Sequence, residues 1–99
     1  MEVPLLIMDV QVFSLDMQDR FLTAVEGILH DDERVLIKIP FCTANPAHGG
    51  PVVGERYLIR YVNGLDPGGF FPEIFYLGRF DHHLVFSTAL IPLQAMEAC

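Results

Sequence analysis

The sequence predicts a mainly β protein: a small six-stranded antiparallel split β-barrel with at most one short helix, as a single domain over residues 1–99. Three observations support this fold class. A chain of 99 residues can bury one hydrophobic core. A hydrophobic content of 52% with only 19% charged residues excludes intrinsic disorder. Short apolar runs rich in β-branched and aromatic residues alternate with turn residues along the chain.

The strands follow from these runs and from the turns between them. A first apolar run precedes a β-hairpin whose tip is the acidic segment 31–33, and the Gly- and Pro-rich segments 43–54 and 65–69 separate the later strands. Six strands are expected, at residues 5–13, 21–30, 35–40, 56–64, 70–80 and 84–90.

The alternation of residues 56–62 assigns each side chain to one face of its strand, because successive strand residues point to opposite sides. The core face is expected to hold Tyr57, Ile59 and Tyr61. The solvent face is expected to hold Arg56, Leu58, Arg60 and Val62.

Residues 15–29 fit two structures. Ser14 is an acceptable N-cap, and the apolar residues that follow fall at helical spacing. Thr23, Val25 and Gly27 disfavour a helix, and the hairpin uses the acidic turn directly. The strand is favoured, with the helix as the alternative.

The charge distribution bears on partners. Thirteen acidic and six basic residues give a net charge of −7, which argues against nucleic acid and anionic membranes as partners. Residues 1–33 contain eight acids and one arginine, so this third carries the whole excess. That third is either a solubilising face or a docking surface for a basic protein, with Asp31, Asp32 and Glu33 as candidate partner-binding residues. Contact through an exposed sheet edge and homodimerisation are further alternatives.

The chain contains no phosphate-binding loop, nucleophile elbow or zinc-protease motif. The adjacent His82 and His83 would face opposite sides of a strand, and Cys42 lies outside any metal-ligand spacing. We therefore expect no catalytic residue, no metal and no cofactor. Asp9 interrupts the first apolar run, so a membrane span is not expected and a cytoplasmic location is.

Three motifs resemble the N-terminal domain of flagellar brake proteins, over roughly residues 8–92. They are a strand ending in Ile39-Pro40, a strand containing Ile59-Arg60-Tyr61 with Gly64, and a last strand ending in Ile91-Pro92. The resemblance implies a split barrel that, in the family, precedes a PilZ domain binding cyclic di-GMP and restrains motility through protein contacts. This chain lacks the family's D/N-x-S-x-x-G nucleotide motif.

Two functions are compatible with these features. The first is a non-catalytic regulatory module acting by protein contact. The second is a flavin- or nucleotide-like ligand site, in which Arg56 or Arg60 takes a phosphate. Arg56 and Arg60 match R-x-x-x-R, but we interpret the match as accidental because both lie within a predicted strand. The aromatic side chains of the barrel mouth would be Phe70, Phe71, Phe75 and Tyr76.

Overall fold

The computed structural model describes residues 4–31, 34–63 and 66–88. These residues contain seven β-strands. A single turn of 3-10 helix, Phe41–Thr43, is the helical element of these residues. The strands are β1 Leu5–Phe13, β2 Arg20–Asp31, β3 Val35–Pro40, β4 Ala44–Pro46, β5 Arg56–Asn63, β6 Asp66–Phe80 and β7 His83–Ser87.

Six of these strands close into an antiparallel barrel, which confirms the predicted fold class. The order around the barrel is β1, β5, β6, β7, β3 and β2, and β2 pairs back with β1. The short β4 pairs with β2. Because closure pairs both sides of each of the six strands, β4 is the sheet edge left in the described residues. The alternative of contact through an exposed sheet edge stays a prediction, and in the described residues β4 is the strand that offers such an edge.

The ambiguous segment 15–29 is a turn followed by a strand, as favoured. Residues 14–19 form the turn, in which the Ser14 amide donates to the Asp19 carbonyl at 2.8 Å. Leu22 pairs with Val12, and Leu29 pairs with Leu5. These four apolar residues therefore belong to the antiparallel pair of β1 and β2. The apolar positions that fit a helix are thus used by a strand that bends.

The core lies inside the barrel, and the predicted core face of β5 is confirmed. Tyr57 and Ile59 belong to the core cluster, and the half-buried Tyr61 packs against it. Leu58 corrects the expectation of a solvent face. It lies outside the core cluster, yet it is only 7% exposed. Alternation gives the direction of the side chain correctly but does not show that the outer wall is covered at this position.

The first strand bends at Asp9, and the bend determines where the outer surface becomes concave. Ile7 and Val10 are both fully buried in the core, although three positions separate them and simple alternation would place them on opposite faces. Asp9 lies between them with a φ of 51°, in the left-handed region. This conformation turns the side chains that follow Asp9 to the opposite face of the strand. The pairing of β1 with β5 shifts register at the same place, between Met8 and Gln11.

The described residues contain no helix that is long and apolar enough to cross a bilayer.

Candidate functional site

A groove runs over the outer wall of the barrel where β1 bends. It encloses about 650 Å³ and is lined by residues of β5, β1, β2 and β4 together with Thr43. Asp9 and Val10, the residues of the register shift, are part of its lining. β-bulges of this kind bend a strand and often lie beside functional sites because they redirect side chains. The groove is therefore our candidate site.

A polar row crosses the groove from strand to strand. Arg60 on β5 lies opposite Gln11 on β1, Gln11 lies opposite Thr23 on β2, and Thr23 lies opposite Asn45 on β4. Directly opposed residues on neighbouring strands are about 5 Å apart, so these four side chains form a continuous band. The band offers hydrogen-bond donors and acceptors along the width of four strands.

Arg60 is held in position by two neighbours. Its Nη2 donates a hydrogen bond to Oε1 of Gln11 at 2.8 Å. Its guanidinium also lies 5.4 Å from the centre of the Phe13 ring, within the range of a cation–π contact. Arg60 is exposed, so it presents a fixed positive charge at one end of the polar row.

An apolar row lies next to the polar row. Met8 on β1 lies directly opposite Val62 on β5, and the next residue, Asp9, lines the groove. Phe70 on β6 lies opposite Arg60 and is 59% exposed. Five exposed apolar side chains on strands β1, β2, β5 and β6 make up what we call the outer face: Leu6, Met8, Val25, Val62 and Phe70.

The structure does not bring Arg56 and Arg60 together at one ligand. Four residues of extended strand separate them by roughly 13 Å. Nη1 of Arg56 pairs with Oε1 of Glu73 at 3.0 Å, and both side chains are about half exposed. Arg60 lines the groove, whereas the groove lining does not include Arg56. A shared phosphate site for the two arginines is therefore not supported by the geometry.

The acidic segment 31–33 does not overlap in sequence with the residues of the polar and apolar rows. Asp31 is the last residue of β2, and Asp32 and Glu33 lie outside the described residues. Two other acids of the first third border the outer face: Asp9 lines the groove, and Glu26 lies opposite Met8.

The four aromatic residues of the alternative barrel mouth do not gather at one site, because their rings lie in different places. Tyr76 is in the core, and Phe71 stacks on Tyr61 with ring centres 6.1 Å apart. Phe70 is on the outer face, and Phe75 lies opposite Arg56 on the barrel wall.

In the described part of the chain, no three His, Cys, Asp or Glu side chains are grouped so that they could hold a metal ion. Cys42 is a free, exposed thiol. His82 lies in the turn before β7, and the Nδ1 of His83 is 2.9 Å from the Asp81 carbonyl oxygen.

Arg60 is the sequence-predicted residue that the structure places in the site. The groove itself was not predicted, because it depends on a register shift between β1 and β5. The signal available in the sequence was the spacing of Ile7 and Val10 on either side of Asp9, within a run predicted as one strand.

The chain matches no protein-family model, no curated protein and no solved structure.

Proposed function

We propose that the protein is a non-catalytic interaction module that binds a protein partner through its outer face. The exposure of Leu6, Met8, Val25, Val62 and Phe70 on four neighbouring strands carries this proposal. Single exposed apolar residues are ordinary on protein surfaces, but neighbouring ones mark contact sites because their burial is favourable.

The polar row supports the same function. An interface needs hydrogen-bonding groups beside its apolar centre to fix the register of the partner. Arg60, Gln11, Thr23 and Asn45 supply them along one line next to the apolar row. Arg60 is also of the residue type that most often anchors interfaces, together with aromatic residues such as Phe70.

The charge of the first third favours a partner with a basic rim around an apolar centre. Asp9 and Glu26 border the outer face, and the net charge of residues 1–33 is −7. Exposed charges of one sign steer a partner of opposite charge and raise the association rate. We propose that Asp31, Asp32 and Glu33 also attract the basic partner in this way. The resemblance to flagellar brake proteins would make such contact part of the regulation of motility.

Site-specific photo-crosslinking in the cell tests the proposal. A photoreactive phenylalanine analogue replaces Phe70 or Val62, and the control position is Val53, which is 60% exposed in the loop before β5. We expect one protein adduct of defined mass at the two outer-face positions and none at Val53. Adducts of equal yield at all three positions, or none at any, would contradict the proposal.

A charge-reversal series tests the steering role. Changing Asp31, Asp32 and Glu33 to Lys moves the net charge from −7 to −1, since each change adds two units. The matched control changes Glu55, Asp66 and Glu97 to Lys, with the same net charge. We expect the first variant to slow association with the crosslinked partner about tenfold at low salt, and the control to slow it less. Equal rates would show that the acidic third only solubilises the protein.

A further inference from the structure

A second cavity lies at one end of the barrel, and no part of the proposed function uses it. It encloses about 180 Å³ beneath the loop that follows β3. Its lining residues are Leu22, Phe41, Ala44, Pro46, Gly49, Gly50, Pro51, Tyr76, Arg79 and Leu84. The outer groove shares none of these residues, so the cavity is a separate site.

The floor of the cavity is apolar and rigid. Leu22 and Leu84 belong to the core cluster, and each is on a barrel strand. The ring of Tyr76 is fixed against Phe86, with ring centres 5.0 Å apart. An apolar cavity of about 150 Å³ is large enough to hold one benzene ring. The cavity therefore fits one ring or one branched aliphatic group.

The rim carries a positive charge that pairs with no carboxylate of the described residues. The guanidinium of Arg79 lies 3.9 Å from the centre of the Phe41 ring, and both residues line the cavity. Within residues 4–31, 34–63 and 66–88 the ion pair is that of Arg56 with Glu73, so Arg79 is free to bind an external anion. Stacking on Phe41 holds the planar guanidinium in place, which reduces the entropy lost on binding.

The cavity wall also contains a hydroxyl group, that of Tyr76, a residue that is only 6% exposed. A ligand carboxylate in the cavity would accept a hydrogen bond from this hydroxyl. Burial raises the pKa of Tyr76 above its ordinary value of 10.0, and the Arg79 charge partly opposes this. The hydroxyl is consequently a proton donor at neutral pH.

We propose that this cavity binds a small carboxylate that carries one aromatic or branched apolar group. The apolar group would occupy the floor formed by Leu22 and Leu84, and the carboxylate would accept hydrogen bonds from Tyr76 and Arg79. A phosphate ester is the poorer fit, because it needs more donors than one guanidinium and one hydroxyl, and the Gly50 amide already donates to the Ala47 carbonyl. The small volume excludes a drug-sized or nucleotide-sized ligand.

A titration followed by amide NMR tests the proposal, with benzoate as the probe and benzyl alcohol as its uncharged counterpart. We expect saturable shifts of the amides of Leu22, Gly49 and Leu84 with benzoate. Benzyl alcohol should bind about tenfold more weakly or worse, because it cannot form the charged hydrogen bonds.

Three variants locate the binding. Arg79→Gln should weaken benzoate binding about tenfold or more, and Tyr76→Phe, which keeps the ring, should weaken it severalfold. Arg56→Gln is the matched control, because it removes an equal charge from an exposed residue that does not line the cavity, and it should leave the affinity unchanged. The proposal is overturned if benzoate up to about 50 mM causes no saturable shift at these amides, or if Arg56→Gln weakens binding as much as Arg79→Gln does.

Discussion

Ile59 and Leu58 are neighbours on β5 that face opposite sides of the barrel wall, and both are buried. Ile59 is fully enclosed by the core, whereas Leu58 lies on the outer side at 7% exposure. Leu77 and Val85 are likewise buried outside the core cluster, at 1% each. The outer wall at these strands is thus packed rather than solvated, so a side chain that points outward there still contributes to stability.

Truncation of the two residues should measure this difference. We expect Ile59→Ala to lower the free energy of unfolding by about 2–5 kcal/mol, because the core cannot collapse into the space left behind. Leu58→Ala should cost less than Ile59→Ala, since an outer-wall cavity can relax, but clearly more than the change of about 0.5 kcal/mol or less typical of a surface site. Urea unfolding is the measurement, with the exposed Val53→Ala as control. If Leu58→Ala behaved like Val53→Ala, the outer wall would be solvated there.

Asp9 has the backbone conformation that bends β1, and substitutions there should report on its left-handed φ of 51°. Asp9→Val should lower the free energy of unfolding by about 1–2 kcal/mol, because a β-branched residue is disfavoured in this region. Asp9→Gly should change it by less than about 1 kcal/mol, since glycine adopts the region freely but loses more entropy on folding. The control is Gln11→Val on the same strand. A destabilisation by Asp9→Gly that exceeds that of Asp9→Val would contradict this prediction, because the left-handed conformation would then not be what limits substitution at this position.

At the scale of the elements, the turn between β1 and β2 is organised by one carboxylate. Asp16 Oδ1 accepts a hydrogen bond from Ser14 Oγ at 2.6 Å and another from the Gln18 amide at 3.0 Å. Ser14 Oγ in turn accepts one from the Asp19 amide at 3.0 Å. The hydrogen bond from Ser14, followed by that from Gln18, lowers the pKa of Asp16 below its ordinary value of 3.8.

This shift makes the turn sensitive to acid. Because the pKa is lower in the folded state, the stabilisation is complete above pH 3.8 and is lost as the pH falls through the folded value. We expect the unfolding midpoint of Asp16→Asn to lie below that of the unmodified protein at neutral pH and to converge with it in acid. Urea unfolding at a series of pH values checks this, with Glu55→Gln as the control for charge alone. A gap in midpoints that stays constant down to pH values below 3.8 would contradict the assignment.

The strands were predictable to different degrees. Leu5–Phe13 and Val35–Pro40 have the expected bounds because their apolar runs end at turns or at proline. Ala44–Pro46 was missed, since three residues ending in proline carry no periodicity. The outer groove and the barrel-end cavity were missed because both depend on which strands become neighbours. Arg60 could be singled out from the sequence, whereas Gln11 and Thr23 become part of its row only through the pairing of β5, β1 and β2.

At the scale of the whole molecule, a charge of −7 and a closed barrel together limit which ligands the outer wall can hold. Arginines of this wall are already engaged: Arg56 with Glu73, and Arg60 with Gln11 and Phe13. A dinucleotide with two phosphates would have to displace these contacts and approach a negatively charged protein. Both effects oppose binding.

We therefore expect the protein to bind cyclic di-GMP no more tightly than about 100 μM, which corresponds to roughly −5.5 kcal/mol. Two exposed arginines roughly 13 Å apart on one strand are too poorly arranged around a single phosphate to offset the entropy lost on association. Isothermal titration calorimetry at low salt is the measurement, with Arg56→Ala and Arg60→Ala as variants and Arg20→Ala, from the start of β2, as the matched control. A low-micromolar dissociation constant that disappears in the first two variants and persists in the third would establish the R-x-x-x-R segment as a nucleotide site.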